Sequence, residues 1–248
     1  MLYYSPRHEN LKTMSEESSQ DELVWKYFGC KTTGYFVGVG ANDPKGGSQI
    51  WLLEQNGWRG ILIEPQSSHC ERLRQERKNS KVFQVACSAP GKEGETFLHI
   101  PRGDLNGFAT IGKNVDDLGI VYERSEKVRV VTLDKILDEV NPLQIDLLSI
   151  DVEGVELDVL RGLDLAKYRP ALILIEDKCN SLQKHRHLKT HGYKLVKRKE
   201  LNNWYIPQTQ SFEMASASER LELFRKMFLG LSFRKFRHFR NSRKKKTP

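Results

Sequence analysis

Cysteine is scarce in this chain, and the four present, Cys30, Cys70, Cys87 and Cys179, stand far apart with no paired spacing. That pattern excludes a paired-cysteine zinc site, a dithiol redox motif and a disulfide framework, and it fits idle thiols in a reducing compartment. Long apolar runs are missing too. The longest purely aliphatic stretch is residues 171–175, far short of the roughly 20 residues that span a bilayer. The opening MLYYSPRHENLK has no charged start followed by an apolar segment, so no secretory leader is expected, and the chain is read as soluble and cytoplasmic. Acidic residues are absent from 231–248, where eight lysines and arginines fall. The formal charge of +8 resides there, because the remaining 32 basic residues balance the 32 acidic ones. Any attraction to polyanions therefore belongs to the tail, and a nucleic-acid partner is not expected for the body.

What is present is enough for one sizeable core: 248 residues with 38% hydrophobic content. The organisation reads as an N-terminal extension with a short helix (1–33), one α/β domain (34–210) and a C-terminal amphipathic helix with a basic tail (211–248). Apolar runs of strand length at 35–39, 60–63 and 81–86 alternate with helical periodicity at 48–55 and 67–77. After a hairpin candidate at 96–100 and a patternless stretch at 101–127, the alternation resumes. Strands are expected at 128–131, 145–150 and 171–175, and helices at 132–140, 155–163 and 181–190. Two last strands, 193–197 and 203–206, are expected to pair antiparallel. Nearly continuous apolar strands alternating with helices predict a mostly parallel sheet covered on both faces.

Two strand ends carry the chemistry. The first, Gly34-Tyr-Phe-Val-Gly38-Val-Gly40-Ala41-Asn42-Asp43, runs from an apolar strand into glycines and small residues before a helix. Glycine permits a tight turn and a close approach of backbone to ligand, although such an end is by itself often only a turn. Glu64 ends the next strand 24 residues after Gly40, close to the offset of about 20 at which an acidic side chain accepts hydrogen bonds from ribose hydroxyls. The third glycine that a dinucleotide pyrophosphate needs is replaced by Asp43, which favours a phosphate-free adenosyl ligand over a nicotinamide cofactor. The second strand end, Ile145 through Gly154, delivers Asp151 and Glu153 where open α/β sheets bind ligands. Asp151 has a simpler alternative as a helix-capping carboxylate, and Glu156 and Asp158 are expected on a solvated helix face. A third strand end places Glu176 and Lys178 on the same sheet edge. His185 and His187 are expected to be exposed on opposite sides of their helix.

These segments resemble the FkbM family of methyltransferases. The resemblance runs from about Gly34 to Glu176 and rests on VGVGANDP, on GWRGILIEP at Gly57 to Pro65, on IDLLSIDVEGVELDVLRG and on RPALILIE at Arg169 to Glu176. It implies a Rossmann-like methyltransferase fold: a mostly parallel seven-stranded sheet with helices on both faces and an antiparallel terminal hairpin. It also implies S-adenosyl-L-methionine as methyl donor and O-methylation of hydroxyls on glycans, lipid-linked saccharides or secondary metabolites. Donor contacts are expected at Gly38, Gly40, Ala41, Asn42, Glu64, Pro65 and Ala86, and catalysis at Asp151 and Glu153. Acceptor contacts are expected at Asn106, Glu176 and Lys178, and no metal is assigned. One departure stands out, since the family usually has VDVGAN and this chain has Gly38 in place of that Asp. If that Asp orders the methionine end of the donor in relatives, Asn42, Asp43 or a water must take over its role here, or the enzyme is impaired.

Methyl transfer from a sulfonium is an in-line displacement, so positioning dominates, and a hydroxyl acceptor needs a nearby proton acceptor. In the tail, Phe233, Phe236 and Phe239 alternate with Arg234, Lys235, Arg237 and Arg240, after an amphipathic helix candidate at 221–231. That pattern suits peripheral contact with an anionic inner membrane face. A second reading of the whole chain is a catalytically weak adaptor that docks on membrane or RNA through this tail.

Overall fold

The computed structural model describes residues 19–102, 110–111 and 122–230. In chain order, α1 (Gln20–Tyr27) precedes β1 (Tyr35–Val39), α2 (Trp51–Gln55), β2 (Arg59–Ile63), α3 (Ser67–Glu76) and β3 (Ser80–Phe83). Four strands follow: β4 (Ala86–Cys87), β5 (Gly94–Pro101), β6 (Thr110–Ile111) and β7 (Tyr122–Val131). Then come α4 (Leu133–Val140), β8 (Leu147–Ile150), α5 (Glu156–Arg161), α6 (Leu165–Tyr168), β9 (Leu172–Glu176) and α7 (Gln183–Thr190). The chain continues through β10 (Tyr193–Lys199), β11 (Asn202–Pro207) and α8 (Ala217–Phe224), which runs into a wider helical turn at Arg225–Leu229.

Seven strands form one sheet in the order β10-β11-β9-β8-β1-β2-β3. β3, β2, β1, β8 and β9 pair in parallel, whereas β11 runs antiparallel to both β9 and β10. Consecutive strand residues point to opposite faces, and here both sets are buried. Val37, Ile61, Leu148 and Ile173 join a core with α4, α5 and α7, while Phe36, Leu62, Leu147 and Leu172 join a second core with α1, α2 and α3. The chain winds outward from β1 in one direction and resumes at β8 on the other side. The carboxyl ends of β1 and β8 therefore adjoin at the point where the order reverses, the place where such sheets form a ligand crevice. This strand order and its terminal hairpin are those of the Rossmann-like methyltransferase fold that the sequence implied.

Between β3 and α4 the chain departs from expectation. The segment 81–86 divides: Ser80–Phe83 pairs with β2, and Ala86–Cys87 leaves for a second, four-stranded sheet of order β4-β7-β5-β6. Hydrophobic alternation states that a segment is extended, not which neighbour it joins. Likewise β7 begins at Tyr122, inside the stretch that lacks a pattern, and pairs antiparallel with β5 along most of its length. Residues 123–125 of that strand are all exposed, so no buried face marks them in the sequence. The helix near the C terminus begins at 217, earlier than expected, where a capping box between Ser216 and Glu219 satisfies its first N–H groups.

Candidate functional site

The β1 end turns sharply at Gly40 (φ +81°) and continues through Asn42, also left-handed at φ +47°. The N–H groups of Gly40 and Ala41 both donate to the Ile63 carbonyl, at 2.9 and 3.2 Å. A Cβ on Gly40 would lie 1.8 Å from the Asp151 carbonyl oxygen, so only glycine lets the β1 and β8 ends close on each other. Glu64, buried at the end of β2, accepts from the Asn42 N–H through Oε2 and from the Gln66 N–H through Oε1, each at 2.9 Å. Each oxygen retains a further lone pair. Burial raises the Glu64 carboxyl above its ordinary range, against the lowering effect of those two N–H bonds.

A cleft of about 340 Å³ opens above these strand ends, a volume in the range of small-molecule sites. Of the residues expected at the site, Gly38, Gly40, Ala41, Asn42, Glu64, Pro65, Ala86, Asp151 and Glu153 line it. Glu176 and Lys178 are not among its lining residues but are tied to it through the ion pair of Lys178 with Glu153, and Asn106 falls outside the described residues. The sequence reading missed several lining groups. Cys87 and Leu98 join the expected Ala86 in bringing the small sheet against the cleft, so that sheet closes one side. Gln49 and Ser149 also line it, with the Ser149 hydroxyl donating to Gln49 Oε1 at 2.8 Å. His69, on the first turn of α3, is a third, and burial keeps its ring below the usual imidazole range. Its position five residues beyond the strand-end Glu64 was the only available signal for it.

Gly38 sits opposite Ser149 in the β1–β8 register. A Cβ at Gly38 would meet Ile50 Cδ1, the tip of a side chain, at 2.8 Å, so Ile50 packs directly against the glycine. Asp43 is committed elsewhere. Its Oδ1 accepts the Lys45 and Gly46 N–H groups and its Oδ2 pairs with Arg72, an arrangement that ties the turn rather than facing a ligand. The Gln49–Ser149 pair supplies the polar surface next to Gly38 instead.

The β8 end gathers acid. Carboxylate oxygens of Asp151, Glu153 and Glu176 lie within 4.8 Å of one another, a set of hard oxygen donors that also suits a divalent cation. Lys178 partly neutralises it, at 2.9 Å from Glu153 Oε2 and 3.5 Å from Glu176 Oε1. Burial, then the charges of Glu176, Glu153 and Glu156, pushes the Asp151 carboxyl up to about 7, against Lys178. Asp151 is not the cap of α5, since Val155 holds that position. Glu156 is not on a solvated face either: it is buried, accepts the Gly154 N–H at 2.5 Å and pairs with Lys184 at 3.1 Å. Through these contacts Glu156 fixes the left-handed turn at Glu153 (φ +53°) and Gly154 (φ +102°) that aims the acidic strand end. His185 and His187 are likewise half-buried rather than exposed, His185 against Tyr205 and Phe228 and His187 against His191.

Two features of this crevice fit an adenosyl ligand: the Glu64 oxygens, each with a lone pair left over at the cleft, and the buried Gln66 Oε1, which has no hydrogen-bond partner among the described residues. Sheet order and crevice together define a Rossmann-like fold of the methyltransferase type. Comparison with known proteins gives the family: residues 38–195 match the methyltransferase FkbM domain, and the chain belongs to that family. Among curated proteins, the AMB antimetabolite synthetase AmbE of Pseudomonas aeruginosa is 37% identical over 82 residues, which are 31% of this chain and 4% of that protein. Among solved structures, methyltransferase FkbM from Methylobacillus flagellatus aligns with 14% identity and a TM-score of 0.46, over 71% of this chain and 44% of that one. The N-terminal domain of human METTL16 in complex with SAH aligns with 13% identity and a TM-score of 0.42, over 75% and 66%.

Proposed function

We propose that this chain is an S-adenosylmethionine-dependent methyltransferase that transfers the methyl group to a hydroxyl of a sugar, in a glycan, a glycolipid or a secondary metabolite. The observation that carries the reading is Asp151, a carboxyl lining the donor cleft and pushed up to about 7. A base of that strength removes a hydroxyl proton near neutral pH, a contribution on the order of 10²- to 10⁴-fold. S-adenosylmethionine, when bound, supplies a methyl group on a sulfonium whose sulfur takes the electron pair of the broken bond. Gly38, Gly40, Ala41, Asn42, Glu64, Pro65 and Ala86 would hold it, with Glu64 offering its free lone pairs to hydroxyls. Asp151 accepts the proton of the attacking hydroxyl, and Glu153 is the second catalytic carboxylate. Glu176, Lys178 and Asn106 orient the acceptor; alternating acidic and basic groups suit the dense hydroxyls of a saccharide.

The partial likeness to an antimetabolite synthetase supports keeping secondary metabolites among the acceptors. Peripheral contact with a membrane through the basic tail would bring the enzyme to lipid-linked saccharides, although residues 231–248 lie outside the described ones. No helix among the described residues is long and apolar enough to cross a membrane. The test is incubation with methyl-labelled donor and fractionated glycans, lipid-linked saccharides and small metabolites. Label in a saccharide fraction, lost with Asp151→Asn, supports the assignment. Label only on protein, RNA or nitrogen-bearing metabolites refutes it.

A further inference from the structure

A second groove, of about 550 Å³, lies at the β10 edge of the large sheet, three strands away from β8 and its acidic end. Its walls come from α7, β10 and the C-terminal helix. Leu195, Val196, Phe212, Leu223, Phe224 and Phe228 make its lining largely apolar. Its charged residues are all cationic: Lys189, Lys194 and Arg220. None of these three forms an ion pair among the described residues. Lys194 and Arg220 instead donate to the backbone carbonyls of Gln208 and Phe212, at 3.1 and 3.0 Å. The acids flanking Arg220 on its helix are already paired, Glu219 with Lys197 and Glu222 with Lys226, and the exposed Glu213 is not among the lining residues. The positive field is felt locally: His185, on the groove wall, is held below the usual imidazole range by burial and then by Lys189.

Beside the groove, the helix presents apolar side chains to solvent. Leu221 is 60% exposed, Phe224 51% and Leu229 59%. Immediately afterwards the chain enters residues 231–248, with eight cations, no acid and three phenylalanines. A groove with uncompensated cations repels that segment as an occupant and attracts an anion with an apolar body. The row of exposed apolar side chains outside the groove, Leu221 and Leu229 with Phe224 at its rim, suits a hydrocarbon boundary, whereas nucleotide bases would use only the Phe212, Phe228 and Arg220 planes within it. We infer that the groove between β10 and α8, with the exposed apolar side chains of α8 and the helical turn after it, is a docking surface for anionic lipids of a membrane: Lys189, Lys194 and Arg220 meet the headgroups, and Leu221, Phe224 and Leu229 enter the acyl boundary. The inference stands apart from the methyl-transfer reading, since neither the donor cleft nor its carboxylates take part.

The experiment is co-sedimentation of the full chain with phosphatidylcholine vesicles and with vesicles containing about a third phosphatidylglycerol. Binding is expected to the anionic vesicles only and to weaken with salt. Each basic residue near such a surface is worth about fivefold in affinity. A Lys189→Glu, Lys194→Glu, Arg220→Glu variant with its tail intact should therefore bind at least about a hundredfold more weakly. Its donor affinity and thermal midpoint should match those of the parent, a control that separates loss of docking from misfolding and from failure of the methyltransferase site. A Phe224→Trp variant gives a second reading, since its added fluorescence should shift to the blue on anionic vesicles. Unchanged vesicle binding by the charge-reversed variant would assign all membrane affinity to the tail and overturn the proposal. So would groove-dependent binding of single-stranded RNA without vesicle binding, or groove-dependent dimerisation in light scattering.

Discussion

Asp151→Asn is expected to make the ligand-free protein more stable at mildly alkaline pH while removing most of its activity. The Asp151 carboxyl titrates at about 7 in the folded chain, against 3.8 for the free side chain. That gap is about three units at roughly 1.4 kcal/mol each, so ionising Asp151 in the folded state costs at most about 4 kcal/mol. Because the folded state holds the proton more tightly than the unfolded chain, the penalty is absent below about pH 4. It grows as pH rises to about 7 and is constant above. The amide of Asn never ionises and escapes it. Water reaching the cleft relaxes part of the penalty, which leaves an advantage for the variant of about 1–3 kcal/mol at about pH 8 and a smaller one at about pH 5. Urea denaturation of both proteins at the two pH values measures it. A variant that is less stable than the parent at pH 8, or whose advantage does not grow with pH, would refute the buried-acid argument. In the same preparation, kcat/KM of the parent should rise through about pH 7 to a plateau, because the deprotonated form is the base. The variant should fall by about 10²- to 10⁴-fold.

Other expectations are more local. Glu64→Gln turns one of two accepting oxygens into a donor facing a backbone N–H, and calorimetric titration should show donor affinity reduced by at least about tenfold. Gly40→Ala forces a Cβ into the Asp151 carbonyl at a left-handed backbone position, and should abolish donor binding with a lowered melting temperature. Arg77→Ala strands the buried Glu54 carboxylate, which Arg77 Nε now contacts directly, and should cost about 3–5 kcal/mol in chemical denaturation. A loss below about 1 kcal/mol in that experiment would mean that water already reaches the pair.

Much of this organisation was legible in the sequence. Fully apolar strands flanked by helical periodicity can be satisfied only by burial on two faces, so 35–39, 60–63, 145–150 and 171–175 led directly to the parallel core. A glycine after an apolar strand and an acid ending the next are both chemical signals tied to position along the chain, and Gly40 and Glu64 do converge, bridged by the Asn42 N–H. Of the small sheet, 96–100 and 128–131 were legible as strands, but their pairing and the start of β7 at Tyr122 were not, because the exposed residues at 123–125 carry no alternation and are held by their ladder with β5.

The sequence by itself determined the order of strands and helices and the residues brought to the strand ends, since burial patterns and glycine stereochemistry are properties of short segments. Tertiary structure alone decided which charges sit together. Glu156 turns inward only because Lys184 from α7 and the Gly154 N–H meet it there. Asp151 is shifted toward neutral pH only because burial and the neighbouring Glu176 and Glu153 act on it at once. Electrostatic energies depend on distance in space and on access of water, neither of which is encoded at any single position along the chain.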